Sequence, residues 1–509
     1  MGKKRLLIIG TAPQVAINEY LGGLDFDNTE IHLLVPERDR DVYDLSRITY
    51  FQGIFHPFFP PLVRAMLLFR PTDVVVLCGM TYDHDNAVKA VLFYSCFKNL
   101  NVDISVRNEN TPANTKLCPS PLKEFLKWIG LGLIALTIKA ISPFKKIRVA
   151  EVYSSRLGHL ALDCEIYLSE AELGRHDNYI DLFTFKEGKI ANATLANMFA
   201  REMDIHKKFS YIFDAVHRFN MNTEHELRLV TRKLAHGRDA ECVIQQTEKH
   251  ITFSADQISK GDQILQSTGL DPNRKHVCVF GRDSMYLDGT IPVYNDSDMQ
   301  IFRNMDIVSF KQGVEELLKL EYNVFRMGSV VKDPLPVSHP NFMDYAISDK
   351  RSDFMDIYLT SKCKFFVGIQ SGLQHVSDVF RIPSLRLNMV RLELIDFCSP
   401  EDLAMFKPLW SKTDKRILKL SEVIESGISL WPIEKFANSD IEVIDNSSDE
   451  ILEAVKEMHK RVEGEWIPSA EDEYLQKKFR SLFKVSKYNS CFATPISSYF
   501  LKKHAAELF

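Results

Sequence analysis

The chain has 509 residues, of which 26% are charged and 45% hydrophobic, with a net charge of −5 and a pI near 6.3. This is a globular composition, not a disordered or fibrous one, and the length suits about three domains, or two with embellishments. A mildly acidic chain carries no overall basic field, which argues against nucleic acid as a partner.

MGKKRLLIIG starts like a signal peptide, but its apolar run, Leu6–Ile9, is shorter than the ~7–15 residues such a leader needs, and a Gly10–Pro13 turn follows. Over residues 1–145 the runs LLIIG, EIHLLVP, DVVVLCG and VDISVRNEN read as strands, and Asn86–Phe97 has helical spacing. Strands separated by helices predict a doubly wound, parallel, Rossmann-like unit. The triplet DHD, Asp83–Asp85, reads as a loop rather than a metal site.

The segment Phe125–Lys146 has an uncharged core, Trp128–Ile138, too short for the ~20 residues of a spanning helix. Lysines flank it and Trp128 sits at its edge. Two readings stand: a buried interdomain helix, or an interfacial helix at the inner face of a membrane on an otherwise cytoplasmic protein.

Residues 146–270 form the second expected unit, with strands at IRVAEV and NYIDLFTF, the turn SSRLGH, and an amphipathic helix at ATLANMFAREM. The third, 271–465, opens with the strand HVCVF. It continues through a helix at Asp306–Leu320, the strand YNVFRMG, the helix SDFMDIYLTS, and the strands KFFVG and PSLRLN. The tail, 466–509, is expected to fold back as a helix. The nine cysteines form no CxxC pair and read as free thiols in a reducing compartment, offering no zinc site.

In open parallel sheets ligands sit beyond the carboxyl ends of the strands. In the third unit those ends deliver Arg282, Asp283 and Tyr286, then Arg326 and Gly328, and finally Gln370, Ser371, Gly372 and His375 after a strand that contains Gly368. Arginine forks, a hydroxyl and a glycine-flanked helix start describe an anion site. GxxxxGK[ST] and a strand-borne GxGxxG are both absent, so the site is neither a P-loop nor an ordinary dinucleotide fold. The bland alternatives are a surface ion pair for Arg282 and a packing role for His375. From the second unit, Arg156, Gly158 and His159 would line the opposite side, followed by Glu165. His159, Glu165 and Asp283 are the candidate bases; His159 reads equally as a helix cap. No His/Asp/Glu cluster has metal-ligand spacing, so no metal is expected.

The blocks RLGHLALDCEIYL, FGRDSMYL, NVFRMGS, SDFMDIYLTSKCKFFVGIQSGL and IDNSSDEILEAVKEM resemble a bacterial family of predicted glycosyltransferases from surface-polysaccharide gene clusters. More distantly, the third unit resembles the donor domains of fucosyltransferase- and heptosyltransferase-type enzymes of the two-Rossmann GT-B fold. The resemblance implies Rossmann-like domains facing across a cleft, with a further N-terminal α/β unit. It implies metal-independent transfer of a sugar from a nucleotide-diphosphate sugar to a saccharide or lipid-linked acceptor, and by motif it sets Arg282 and Ser371-Gly372 at the diphosphate. The alternatives are a nucleotide-sugar epimerase or hydrolase, and a non-catalytic nucleotide-sugar-binding scaffold.

Overall fold

A computed structural model describes residues 4–10, 24, 29–36, 50–54, 73–78, 101–108 and 111–116, and from 121 onward all but 186–189, 230–237, 283–304, 330, 332, 396–397, 432–434, 437–438 and 486–487. Asp83–Asp85, Asn86–Phe97, Asp283 and Tyr286 lie outside the described residues. The chain divides into two compact units, Met1–Phe144 with Asp214–Glu224, and Lys145–Phe213 with His225–Phe509.

The first unit holds one sheet of β1 (Lys4–Gly10), β2 (Thr29–Pro36), β3 (Tyr50–Ile54), β4 (Asp73–Cys78), β5 (Asn101–Asn108) and β6 (Thr111–Lys116), ordered β3-β2-β1-β4-β5-β6. All pairings are parallel except β5 with β6, an antiparallel edge. The continuous apolar runs of β1, β2 and β4 suit strands covered on both faces. The four expected strands form as read. β3 and β6 escaped the reading: in YFQGI a glutamine and a glycine interrupt the apolar residues, and TPANTK has no apolar run.

Helix α1 (Pro121–Ile141) ends this unit. Leu131, Ala135 and Ile138 are buried, and Trp128 stands edge-on to Phe219 at 5.2 Å. Among the described residues no helix is long and apolar enough to cross a membrane.

In the second unit, β7 (Lys146–Val152) and β8 (Tyr179–Phe185) pair in parallel and carry α2 (Leu157–Glu172) and α3 (Ala193–Glu202). The main sheet comprises β9 (His276–Phe280), β10 (Asn323–Arg326), β11 (Phe342–Met343), β12 (Phe366–Ile369), β13 (Ser384–Met389) and β14 (Leu403–Phe406), ordered β11-β10-β9-β12-β13-β14. Every pairing in it is parallel. Around it lie α4 (Ala255–Gln266), α5 (Lys311–Lys319), α6 (Asp353–Lys362), α7 (Gly372–Val379), α8 (Ser448–Val462), α9 (Ala470–Ser481) and α10 (Ser498–Leu508).

Side chains alternate across this sheet with period two and feed two cores. Val277, Val279, Val324 and Val367 pack with Val314 of α5 and Val455 of α8. Cys278, Phe325 and Phe366 pack with Met355 of α6 and Val376 of α7. This second core continues without a break into Val152, Leu160, Cys164 and Phe199 of the β7–α3 layer. The cleft expected between 146–270 and 271–465 is therefore closed where the layers meet: apolar faces of α2 and α3 need cover, and α6 and α7 supply it. Asn192 fastens the edge of this contact by capping α3 at Leu195 N (2.9 Å) while its Nδ2 donates to Asp353 O (2.8 Å).

Candidate functional site at the sheet switch point

The main sheet is wound 3-2-1-4-5-6, so its strand order reverses between β9 and β12. Beyond the carboxyl ends at such a reversal, successive helices depart to opposite faces and leave a crevice. β9 and β12 are in register there, Phe280 beside Gly368. Two residues on, β9 delivers Arg282 and β12 delivers Gln370. Arg282 is half-buried, and its carbonyl accepts from Met305 N at 3.0 Å. Ser371, in extended conformation, caps α7 by accepting from Gln374 N at 3.3 Å.

A second strand–loop–helix reaches the same rim. β7 leads through Tyr153–Arg156 into α2, whose start lies against the start of α7. A Cβ placed on Gly372 would lie 2.8 Å from Gly158 N, and one on Gly158 would lie 3.1 Å from Gly372 Cα and 3.0 Å from His375 Cδ2. Further along, Glu165 of α2 meets Arg381, just past the end of α7, so the two helices run parallel. Their positive dipole ends therefore sit side by side. The structure thus brings together Arg156, Gly158, Ser371, Gly372 and His375, with His159 beside them, its ring edge-on to Tyr153 at 5.3 Å. In the same β7–α2 loop, Ser154 is fully buried and its Oγ has no hydrogen-bond partner among the described residues. Gly158 and Gly372 also meet a need that the strand-end reading did not include: bare backbone there admits the neighbouring helix.

Behind the rim runs a chain of buried charges that the strand-end reading missed. His375 Nδ1 lies 3.1 Å from Asp378 Oδ2, Asp378 Oδ1 accepts from Arg386 Nη2 at 2.7 Å, and the same guanidinium donates to Asp402 at 2.6 Å and 2.8 Å. Burial pushes the Asp378 carboxyl up, but Arg386 and then His375 outweigh it and hold it below the usual carboxylate range. Burial wins at Asp402, which is raised despite Arg386. An imidazole held at Nδ1 by a carboxylate presents Nε2 to its surroundings as the exchangeable nitrogen. The signal was there in PSLRLN, where an arginine interrupts an otherwise apolar strand.

Four expected site residues have other work. Glu165 is fully buried and lies seven residues, about 10 Å, along α2 from Gly158. Its Oε1 meets His250 Nδ1 at 3.0 Å and accepts from Arg381 Nη1 at 2.8 Å, so it ties α2 to the end of α7 and is not a free base. Arg326 is buried, donating to Asp344 Oδ1 at 3.1 Å and to Asp333 O at 3.3 Å, which fixes the loop around β11 instead of facing a ligand. A Cβ on Gly328 would strike Val331 and Ala346, and one on Gly368 would strike the Phe366 ring and Phe280 O. Both glycines serve packing.

The cysteines also need correcting. Cys242 and Cys398 are bridged, with Cα atoms 5.3 Å apart, whereas Cys164, Cys278 and Cys363 are buried outside any disulfide and Cys491 lies against Cys242.

No family model matches the chain, and no curated protein sequence matches it. Among solved structures it is similar to a glycosyl transferase family 9 protein from Veillonella parvula, at 9% identity over 90% of this chain and 98% of that one, TM-score 0.26. It is similar to the E. coli heptosyltransferase WaaC with ADP, at 9% identity over 79% and 91%, TM-score 0.18. It is also similar to a UDP-GlcNAc 2-epimerase from Neisseria meningitidis bound to UDP-GlcNAc, at 13% identity over 91% and 100%, TM-score 0.18. These scores are low, and no residue role is taken from those structures.

Proposed function

We propose that the chain is a GT-B-like glycosyltransferase that moves a sugar from a nucleotide-diphosphate sugar to a saccharide or lipid-linked acceptor of surface-polysaccharide synthesis, without a metal. One observation carries the reading. At the switch point of a 3-2-1-4-5-6 parallel sheet, Arg282 leaves β9 beside the cap of α7, and α2 adds a second helix start to the same rim. Two parallel dipoles and a guanidinium favour a dianionic group. Transfer of the sugar leaves charge on the β-phosphate oxygen, and a preorganised cation with helix N–H groups stabilises that charge most as the bond breaks.

In this reading Arg282, Ser371-Gly372 and the Ser154 hydroxyl bind the diphosphate, with Gln370 towards the ribose. Arg156 and His159 face the acceptor. His375, oriented by Asp378, donates from Nε2 to a phosphate oxygen or receives the acceptor's proton; Asp283 is the other candidate base. Two sheets of one winding order in a single chain also agree with a GT-B plan. The exposed apolar side of α1 would rest on an anionic membrane surface, where lipid-linked acceptors reside.

The test is incubation with a panel of nucleotide sugars, with and without acceptor saccharides. Nucleotide released only with acceptor supports transfer. Release or isomerisation without acceptor makes the protein a hydrolase or epimerase, and binding without turnover makes it a scaffold.

A further inference from the structure

Three cysteines converge on one point from places 156 and 249 positions apart in the sequence. Cys491 Sγ lies 2.6 Å from Cys242 Sγ, Cys242 is bridged to Cys398, and all three sulfurs fall within 4.8 Å of one another. Hydrogen bonds to backbone carbonyls enforce the meeting. Ser490 N donates to Ala240 O at 2.8 Å, Asn489 Nδ2 to Ile395 O at 2.7 Å, and Thr494 Oγ1 to Ser399 O at 2.6 Å, so each cysteine sits in a stitched segment. Asp239 accepts from Val243 N and Ile244 N at 3.0 Å and 2.8 Å, which holds Cys242 at φ +55°, a conformation that a non-glycine residue keeps only when its surroundings impose it.

A disulfide joins two of these sulfurs, and the third lies in contact with the pair. A shared metal ion accounts for all three. Thiolates at about 2.3 Å from a tetrahedral ion stand about 3.8 Å apart, wider than the 2.6 Å between Cys242 Sγ and Cys491 Sγ and inside the 4.8 Å that bounds all three. Three sulfur ligands select soft cations over magnesium or calcium. Cys398 and Cys491 are half-buried, so an ion can reach the site.

We propose that Cys242, Cys398 and Cys491 form a three-thiolate site for one zinc-class cation in the reduced protein, its fourth position open to water. Two molecules of a small cellular thiol reduce the bridge, giving two cysteine thiols and the small thiol's own disulfide. The divalent ion then binds the three thiolates and releases three protons. The ion clasps the 488–494 segment to the core, a role independent of the nucleotide-sugar reading.

The test uses full-length protein purified with a thiol reductant, stripped with chelator and titrated anaerobically with Zn(II) or Co(II). One equivalent should bind, with a thiolate-to-cobalt charge-transfer band and the intense visible bands of tetrahedral cobalt. Alkylation followed by mass spectrometry should find Cys242, Cys398 and Cys491 protected by Zn(II), and Cys164, Cys278 and Cys363 unchanged by it. Cys491→Ser should weaken binding about a hundredfold or more. The alkylation result on the unaltered chain stands even if that variant folds poorly. No charge-transfer band with equal alkylation in both states overturns the proposal. So does a Cys242–Cys398 bridge that survives a glutathione-poised buffer, which would make the pair a structural disulfide.

Discussion

Arg282 follows an apolar strand whose partner strand ends in the α7 cap, and the proposed function sets it against the donor diphosphate. Arg282→Ala should lower turnover by ~10²–10³ fold, the scale of one preorganised donor, with a smaller loss of donor affinity. Arg282→Lys should restore only part, because a point charge cannot span two phosphate oxygens. Steady-state transfer rates, with thermal midpoints measured alongside, decide it, and near-normal transfer by the alanine variant removes Arg282 from the site. Asp356 makes a different prediction. Its oxygens accept from Tyr345 Oη at 2.8 Å and Arg351 Nη2 at 3.1 Å, yet burial outweighs both and raises the carboxyl to about 6. The unfolded value is about 3.9, so between the two the folded state holds more protons than the unfolded one, and stability falls as pH rises from ~4 to ~6. Asp356→Asn cannot ionise and should lose this slope. The urea midpoint of the variant should therefore gain on that of the parent between pH 4.5 and pH 7.5, and a gap that stays constant would show that Asp356 does not titrate in this window.

At the level of elements, the pair α2–α7 turns on two glycines. Alanine ordinarily favours a helix over glycine by about 0.5–1 kcal/mol, so the contact decides the sign. At Gly372 the added methyl would meet backbone nitrogen at 2.8 Å, and neither helix can yield without moving. At Gly158 it would meet a ring atom and a Cα at 3.0 Å and 3.1 Å, where a small shift relieves it. Gly372→Ala should therefore cost about 1–3 kcal/mol and Gly158→Ala less. The double variant should depart from the sum, since both methyls compete for one space. Urea unfolding of the three variants measures this, and a neutral Gly372→Ala would mean the helix starts do not touch. The same elements mark how far sequence reading reaches. HVCVF and KFFVG were legible as strands because continuous apolar runs between turn residues have few other uses. Their carboxyl ends were legible as a rim by topology alone. What FFVGIQSGLQH could not disclose is which neighbour needs the glycine, because a close helix and a close phosphate ask the same thing of the backbone. Glu165 and Arg326 misled for a related reason: a charge bound for a buried pair and one bound for a ligand look alike until the partners, Arg381 and Asp344, are placed. The meeting of Cys242, Cys398 and Cys491 was invisible because their spacing follows no local motif.

Across the whole molecule, the apolar segment near residue 130 was readable as a helix, but not which side of it faces out. Leu126, Ile129, Leu133 and Leu136 recur at helical spacing and are 58%, 49%, 61% and 65% exposed, while Leu131, Ala135 and Ile138 are buried. A one-sided leucine-rich stripe of this kind is unusual on a protein that meets only water. Lys139 and Lys145 are exposed at the same end, and Phe144 is 90% exposed. On the interfacial reading proposed above, the apolar side chains would enter the headgroup boundary and the lysines would meet anionic lipid. The protein should co-sediment with vesicles containing an anionic phospholipid and much less with zwitterionic ones, and added salt should weaken the binding by screening the lysines. Leu133→Glu with Leu136→Glu alters only the outward side, so it should abolish sedimentation while circular dichroism and the thermal midpoint stay close to the parent's. If that variant aggregates or melts early, the stripe is covered by protein in the folded state and the membrane reading fails. If it stays folded and still sediments, the vesicles are bound elsewhere on the chain.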